Sequence, residues 1–190
     1  MAAHQVGRLA VVAGCMFSGK TEELIRRARR SHIAKRRVRM FKHAKDDRYD
    51  AERVVSHDNG VYDARPVQTL QEVRTWADGG QGDWGFIGID EFQFFDDEPE
   101  VVVDTLAYLS ERTKVVVAGL DLDSDGRPFG PMPLALAMAD VVVKLTAVCV
   151  KCGRDATRSY RNPEKHSGET EQVGAAGLYE ARCIDCWRKP

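Results

Sequence analysis

Gly14-Cys15-Met16-Phe17-Ser18-Gly19-Lys20-Thr21 is the stretch that decides the fold. It satisfies the pattern G-x-x-x-x-G-K-[ST] at every position. Before it runs Leu9-Ala10-Val11-Val12-Ala13, an apolar segment that reads as a buried strand. After it comes Glu22-Glu23-Leu24-Ile25-Arg26-Arg27-Ala28-Arg29-Arg30, which reads as a helix. Strand, glycine-rich loop and helix are the context a P-loop requires. In such a loop the backbone N–H groups turn toward phosphate oxygens. The positive end of the helix dipole attracts the same anion. Gly14, Cys15, Met16, Phe17, Ser18, Gly19, Lys20 and Thr21 are therefore candidate ATP contacts, with Lys20 reaching the β- and γ-phosphates and Thr21 ligating Mg²⁺. A chance glycine turn would leave the Lys-Thr pair at the helix start unexplained.

Outward from the loop, strand and helix patterns alternate. Helix one runs from Thr21 to about Ala34, and Val38 to Lys42 reads as a strand. Arg53 to Ser56 is a shorter strand. Thr69-Leu70-Gln71-Glu72 has capping-box spacing at the head of a helix reaching about Ala77. Asp78 to Asp83 is a turn, Phe86 to Ile89 a buried strand, and Pro99 opens a helix to about Glu111. Val115 to Ala118 is a strand, Leu134 to Met138 a short helix, and Val141 to Leu145 the last core strand. Nearly continuous apolar strands between helices predict an α/β fold, a mostly parallel sheet covered on both faces. The pattern changes near residue 146. The expected division is a P-loop, RecA-like nucleotide-binding domain over 1–145 and a small zinc-binding domain over 146–190.

Phe86 to Ile89 ends in Asp90-Glu91. An acidic residue at the carboxyl end of a buried strand downstream of a P-loop is the Walker B arrangement. Asp90 would hold Mg²⁺ opposite Thr21, and ligand sites in such sheets lie at the carboxyl ends of the strands. Glu91 beside it can accept a proton from an attacking oxygen. If that oxygen is water the enzyme is an ATPase, and if it is a hydroxyl the enzyme is a kinase. Phe92 and Gln93 continue the acidic pair and join it as candidate ATP-site residues. Phe92, Phe94 and Phe95 are either the wall of a flat pocket or ordinary core, and Phe94, three residues after Glu91, can face the same side.

Four of the five cysteines form two C-x-x-C pairs, Cys149/Cys152 and Cys183/Cys186, with 30 residues between them. Two such pairs suit a tetrahedral structural zinc site with all four positions filled. The intervening stretch carries Asn162-Pro163, Gly168, Gly174 and Gly177, which suit an irregular path. A loop anchored at both ends by zinc is a natural lid, and closing it would exclude water and favour transfer to a hydroxyl.

Composition narrows the function classes. The 190 residues are 43% hydrophobic and 30% charged, with a net charge of −1. No overall basic field attracts nucleic acid. Arg26 to Arg39 is a local basic run and reads as a solvated helix face. No apolar stretch approaches about 18 residues, so no membrane span is expected. Met1 to Val6 lacks the regions of a signal peptide, and a cytoplasmic location is expected.

Taken together, these residues resemble the cellular-type, or type II, thymidine kinases. The similarity covers Gly14 to Leu24, Lys42 to Tyr49, Ser56-His57-Asp58 and Asp90 to Phe95. It continues through Gly119-Leu120-Asp121, Pro128-Phe129-Gly130, Lys144 to Cys149 and Tyr179 to Cys183. The resemblance implies transfer of the ATP γ-phosphate to the 5′-hydroxyl of thymidine, and of deoxyuridine, as nucleotide salvage for DNA synthesis. It implies Glu91 as the base, with Lys20 and Arg161 at the transferred phosphate and Asp58 near the phosphates and metal. It implies that a lasso between the cysteine pairs holds the base through backbone groups around Glu171, Gln172, Val173 and Gly174. Phe94 and Tyr179 match positions that pack near the nucleoside. Met16, Leu120 and Ser159 match positions at the thymine methyl, and Phe129 a nearby aromatic. A homotetramer and feedback inhibition by thymidine triphosphate are implied as well. Two residues depart from the pattern. Ser124 stands where an aromatic is usual, so one pocket wall is expected to be thinner. Cys15 replaces a common proline, and its thiol is expected to expose the loop to thiol reagents. The competing reading is a P-loop ATPase with a zinc ribbon acting on nucleic acid, which predicts a basic track that the near-neutral charge does not supply.

Overall fold

The computed structural model describes residues 9–45, 53–55, 61–79, 84–162 and 178–188. The elements follow in the order β1 (Leu9–Gly14), α1 (Lys20–Ile33), β2 (Val38–His43), β3 (Arg53–Val55), β4 (Val61–Asp63), β5 (Arg65–Val67), α2 (Leu70–Gly79), β6 (Phe86–Asp90), a 3₁₀ turn (Phe92–Phe94), α3 (Pro99–Arg112), β7 (Val115–Gly119), α4 (Met132–Met138) and β8 (Val141–Leu145). A smaller unit follows, with β9 (Ala147–Val148), β10 (Asp155–Ala156), β11 (Arg158–Arg161), β12 (Tyr179–Arg182) and α5 (Ile184–Arg188).

The main sheet has six strands in the order β5-β2-β6-β7-β1-β8, and every pair in it is parallel. Alternation along each strand divides the core in two. Leu9, Val11 and Ala13 join Phe41, Ile89, Val117, Leu106 and Leu109 beneath α2, α3 and α4. Ala10 and Val12 face the other way, onto Leu24, Ile25 and Ala28 of α1, with Met40 and Phe86. The two long helices, α1 and α3, each bury a single stripe. Leu24, Ile25, Ala28 and Ser31 are inward on α1, and Val102, Thr105, Leu106 and Leu109 on α3, the spacing of a core-facing surface.

Four elements differ from the sequence expectation. Val141 to Leu145 forms a strand, but it is the sheet's edge rather than core: Val141 and Val142 stay 48% and 47% exposed. The order of strands explains this, since β8 pairs only with β1 among the described residues. Arg53 to Val55 is a strand that pairs antiparallel with β4, outside the main sheet. β5, which carries Pro66, is not among the strands expected from sequence; an edge strand tolerates proline where the missing N–H would face out of the sheet. The helix expected from Leu134 begins at Met132, after Pro131.

The basic run divides its work. Arg26 and Arg27 pair with Glu23 at 2.5 and 2.7 Å, and the Arg26 hydrogen bond, with Arg27 adding, holds the Glu23 carboxyl down at about 2. The exposed Arg26 pair contributes less than about 1 kcal/mol. The guanidiniums of Arg37 and Arg39 lie over the Trp84 ring at 4.5 and 4.9 Å. Arg27, Arg30, Arg36 and Lys114 line a surface groove. Among the described residues no helix is long and apolar enough to cross a membrane.

Candidate active site

The loop between β1 and α1 curls tightly at Gly14, whose φ is 152°. A Cβ there would stand 2.5 Å from the Leu145 carbonyl oxygen of β8 and 2.8 Å from Ser18 Oγ, so only glycine fits. Phe17 takes a left-handed φ of 64°, a conformation that costs a bulky residue about 1–3 kcal/mol and clusters at functional loops. Lys20 Nζ donates to the Cys15 carbonyl at 2.8 Å, which arches the side chain back over the loop.

β7 lies between β1 and β6 in the sheet, yet the P-loop and the acidic strand end still meet. Thr21 Oγ1 donates to Asp90 Oδ2 at 3.1 Å. Asp90 is 4% exposed, and its other oxygen accepts the Glu91 N–H at 3.0 Å. A hydroxyl and a carboxylate facing each other beside a phosphate loop are the donor set Mg²⁺ takes from protein, since it keeps most of its remaining ligands as water and phosphate. Glu91 follows in a left-handed conformation, φ 52°, which turns the chain sharply out of the strand into the 3₁₀ turn. Its Oε2 accepts from Gln93 Nε2 at 2.5 Å.

The aromatics after Glu91 have separate fates. Phe92 and Phe95 are core, 0% and 2% exposed. Phe92 can therefore serve a nucleotide only through its backbone. The Gln93 side chain is likewise occupied, by Glu91 and by the Leu120 N–H at 2.9 Å. Phe94 is partly open and meets Phe129 edge-on, centroids 5.8 Å apart. His43, given no role by sequence reasoning, sits beside this turn. Its ring meets Phe95 edge-on at 4.9 Å, and its Nδ1 accepts the Lys45 N–H at 3.1 Å. Burial, reinforced by the Lys45 charge, lowers its pKa and favours the neutral imidazole. No single-sequence pattern marked it, because β2 reaches the site only through sheet order.

The four paired cysteines converge. The Sγ atoms of Cys149, Cys152, Cys183 and Cys186 all lie within 4.8 Å of one another, with Cys152 and Cys183 at 3.7 Å. A tetrahedral ion with Zn–S bonds of about 2.3 Å has S···S edges of about 3.8 Å, so the donor set and spacing fit zinc. Arg154 donates to the Cys152 and Cys183 sulfurs at 3.5 and 3.6 Å and pairs with Asp185 at 3.0 Å. That guanidinium offsets thiolate charge and orients two ligands.

The unit that carries the four cysteines touches the P-loop directly. Met16 N–H donates to Ser159 Oγ at 3.0 Å, and Cys15 Sγ donates to the Ala156 carbonyl at 3.3 Å. Arg161 and Tyr179 are paired opposite each other on β11 and β12, and Asn162 N–H donates to the Leu178 carbonyl at 2.9 Å. The ribbon is thus closed where the chain leaves it. The loop containing Ser124 is also tied to the C-terminal unit. Trp187 Nε1 donates to the Ser124 carbonyl at 3.2 Å, and its ring lies against Gly126. Asp58, Glu171, Gln172, Val173 and Gly174 lie outside the described residues.

The expected sensitivity of Cys15 to thiol reagents does not survive this geometry. The thiol is 3% exposed and its proton is engaged by a carbonyl. Burial raises its pKa, with the Lys20 charge pulling the other way. The thiolate is the reactive species, and each unit of pKa cuts it about tenfold. Iodoacetamide should therefore label the Cys15 peptide at least about tenfold more slowly in native protein than in guanidine. Equal rates by mass spectrometry would show an open loop.

The thymidine kinase family profile matches residues 7–187. A thymidine kinase of Coprothermobacter proteolyticus is 46% identical over 183 residues, 94% of this chain and 89% of the relative. A thymidine kinase of Chloroflexus aurantiacus is 42% identical over 186 residues, 95% of this chain and 94% of the relative.

Proposed function

This chain belongs to the thymidine kinase family, and from that membership we propose how its residues divide the phosphorylation of thymidine. ATP is the phosphoryl donor and the nucleoside 5′-hydroxyl the acceptor, with deoxyuridine as a second acceptor. The observation that carries this division is the meeting of Thr21 Oγ1 and Asp90 Oδ2 at 3.1 Å, with Glu91 turned out of the strand immediately beyond. The P-loop N–H groups and Lys20 bind the triphosphate and hold its terminal phosphate near that pair. Thr21 and Asp90 would hold Mg²⁺, which supplies neutralisation of phosphate charge. Glu91 accepts the proton of the attacking hydroxyl. Arg161 adds positive charge at the transferred phosphate.

Met16, Leu120 and Ser159 shape the end of the pocket that receives the thymine methyl, and Phe94, Phe129 and Tyr179 give its aromatic walls. Backbone groups around Glu171 to Gly174 pair with the thymine edge, and Asp58 approaches the phosphates. A hydrogen-bonded edge discriminates against cytosine more strongly than a methyl contact, because the wrong base leaves buried polar groups unpaired. The division into 1–145 and 146–190 follows the change from one six-stranded sheet to short ribbons held at a Cys₄ cluster. The structural role of zinc there is to close the ribbon that carries Ser159, Arg161 and Tyr179. A homotetrameric assembly in the cytoplasm and inhibition by thymidine triphosphate complete the proposal.

The deciding experiment is ATP turnover with Mg²⁺, with and without thymidine, following thymidine monophosphate. Thymidine-dependent monophosphate formation is expected. Hydrolysis indifferent to thymidine would overturn the assignment and favour an ATPase, to be tested next for stimulation by nucleic acid.

A further inference from the structure

Gln93 is 2% exposed and makes two directional contacts with a single amide. Its Oε1 accepts the Leu120 N–H at 2.9 Å, and its Nε2 donates to Glu91 Oε2 at 2.5 Å. A backbone N–H can only donate, so the Leu120 contact fixes which end of the amide carries oxygen. The NH₂ end then has to face Glu91. The amide is also enclosed. A Cβ on Gly119 would lie 2.7 Å from Gln93 Oε1, and one on Gly130 would lie 2.1 Å from the Gln93 carbonyl oxygen. Gly130 moreover sits at φ 50°, where side chains are rarely accommodated. Gly119, just before Leu120, leaves room for the Gln93 amide oxygen, and Gly130, just after Phe129, leaves room for the Gln93 main-chain carbonyl. Glu91 itself is held at a left-handed φ of 52°, a conformation that persists only when the surroundings over-determine it.

We propose that Gln93 is a positioning residue that holds the Glu91 carboxylate in place and ties it to the loops carrying Leu120 and Phe129. This rests on Glu91 being the base. It takes Gln93 out of direct nucleotide contact and makes it the link between the base and the nucleoside pocket: a shift of Leu120 is passed to the carboxylate through the side-chain amide, and a shift of Phe129–Gly130 through the Gln93 main chain. Misplacement of a reacting group by about 1 Å can cost about 100-fold in rate, so the effect belongs in kcat.

The test is Gln93→Glu, nearly isosteric, which keeps an acceptor for the Leu120 N–H but sets a carboxylate against Glu91 Oε2. Gln93→Met, which removes both contacts without adding charge, is the second variant. Glu91→Gln is measured in parallel. The expected result for both Gln93 variants is a kcat lower by about 10- to 100-fold, with KM for ATP and for thymidine within about threefold of the parent. A raised KM for ATP at unchanged kcat would overturn the proposal and make Gln93 a nucleotide contact. A lowered melting temperature with kinetics unchanged in both variants would make it a core residue only. Full turnover in Glu91→Gln would instead remove the base assignment, whatever Gln93 does.

Discussion

Glu91→Gln should bind ATP and thymidine nearly as the parent does and turn over about 10²- to 10⁴-fold more slowly. The replacement keeps the shape, and its amide oxygen can still accept from Gln93 Nε2, which lies 2.5 Å from Glu91 Oε2. The Asp90 contact with the Glu91 N–H at 3.0 Å is a backbone contact and survives, so the Thr21–Asp90 meeting is undisturbed. What disappears is the carboxylate's charge, and with it the capacity to accept a proton. Loss in kcat without loss in binding is the signature of an interaction made in the transition state. Equilibrium binding by calorimetry and single-turnover monophosphate formation measure the two parts separately. Turnover near the parent's would mean that another group, or water alone, takes the proton.

Removing zinc should have the second largest effect, and it should reach both substrates. A lasso anchored at the two cysteine pairs would loosen without the ion and weaken thymidine binding. The structure adds a direct link to the nucleotide side. The C-terminal unit has a very small apolar core, formed by Ala147, Ala156, Ala181 and the buried cysteines, with Cys15 contributed by the P-loop. Without an ion this core cannot hold four short strands together, and structural zinc in small modules contributes about 10–16 kcal/mol of apparent binding free energy. Loss of order there removes the Ser159 acceptor from Met16 N–H and the Ala156 acceptor from the Cys15 thiol. At about 0.5–1.5 kcal/mol each, those contacts correspond to a rise in the ATP Kd of about 5- to 150-fold. The thymidine KM should rise by more, because Ser159, Arg161 and Tyr179 all belong to the ribbon. The six-stranded sheet should stay folded, leaving one thermal transition, that of the sheet, in the zinc-free protein. Unchanged kinetics in a sample verified as zinc-free would show that the Cys₄ cluster is dispensable to the site.

Local patterns in the chain carried most of the architecture. Glycine spacing with Lys20-Thr21 at a helix start gives a P-loop wherever the flanking strand and helix form, and Leu9 to Ala13 could scarcely do anything else but be buried. Cys149, Cys152, Cys183 and Cys186 announce a four-thiolate site by spacing, because each pair presents two sulfurs from one tight turn. What these signals share is that their physics operates within a few residues. Edge position does not: Val141 and Val142 read as core, and only the order of strands leaves them half exposed. The burial of the Cys15 thiol depends on Ala156, 141 residues away, and no local pattern contains that distance. The same holds for His43 beside Phe95 and for Trp187 on the Ser124 loop.

The sequence by itself determined which groups could do chemistry here: a phosphate loop, an acidic pair at a strand end, and four thiols. Only the tertiary structure decided how Glu91 is held, by an amide whose oxygen is fixed by the Leu120 N–H and closely approached by Gly119. The reason is that residue identity sets what a group can donate or accept, whereas its orientation is set by whatever distant chain the packed sheet brings within hydrogen-bonding reach.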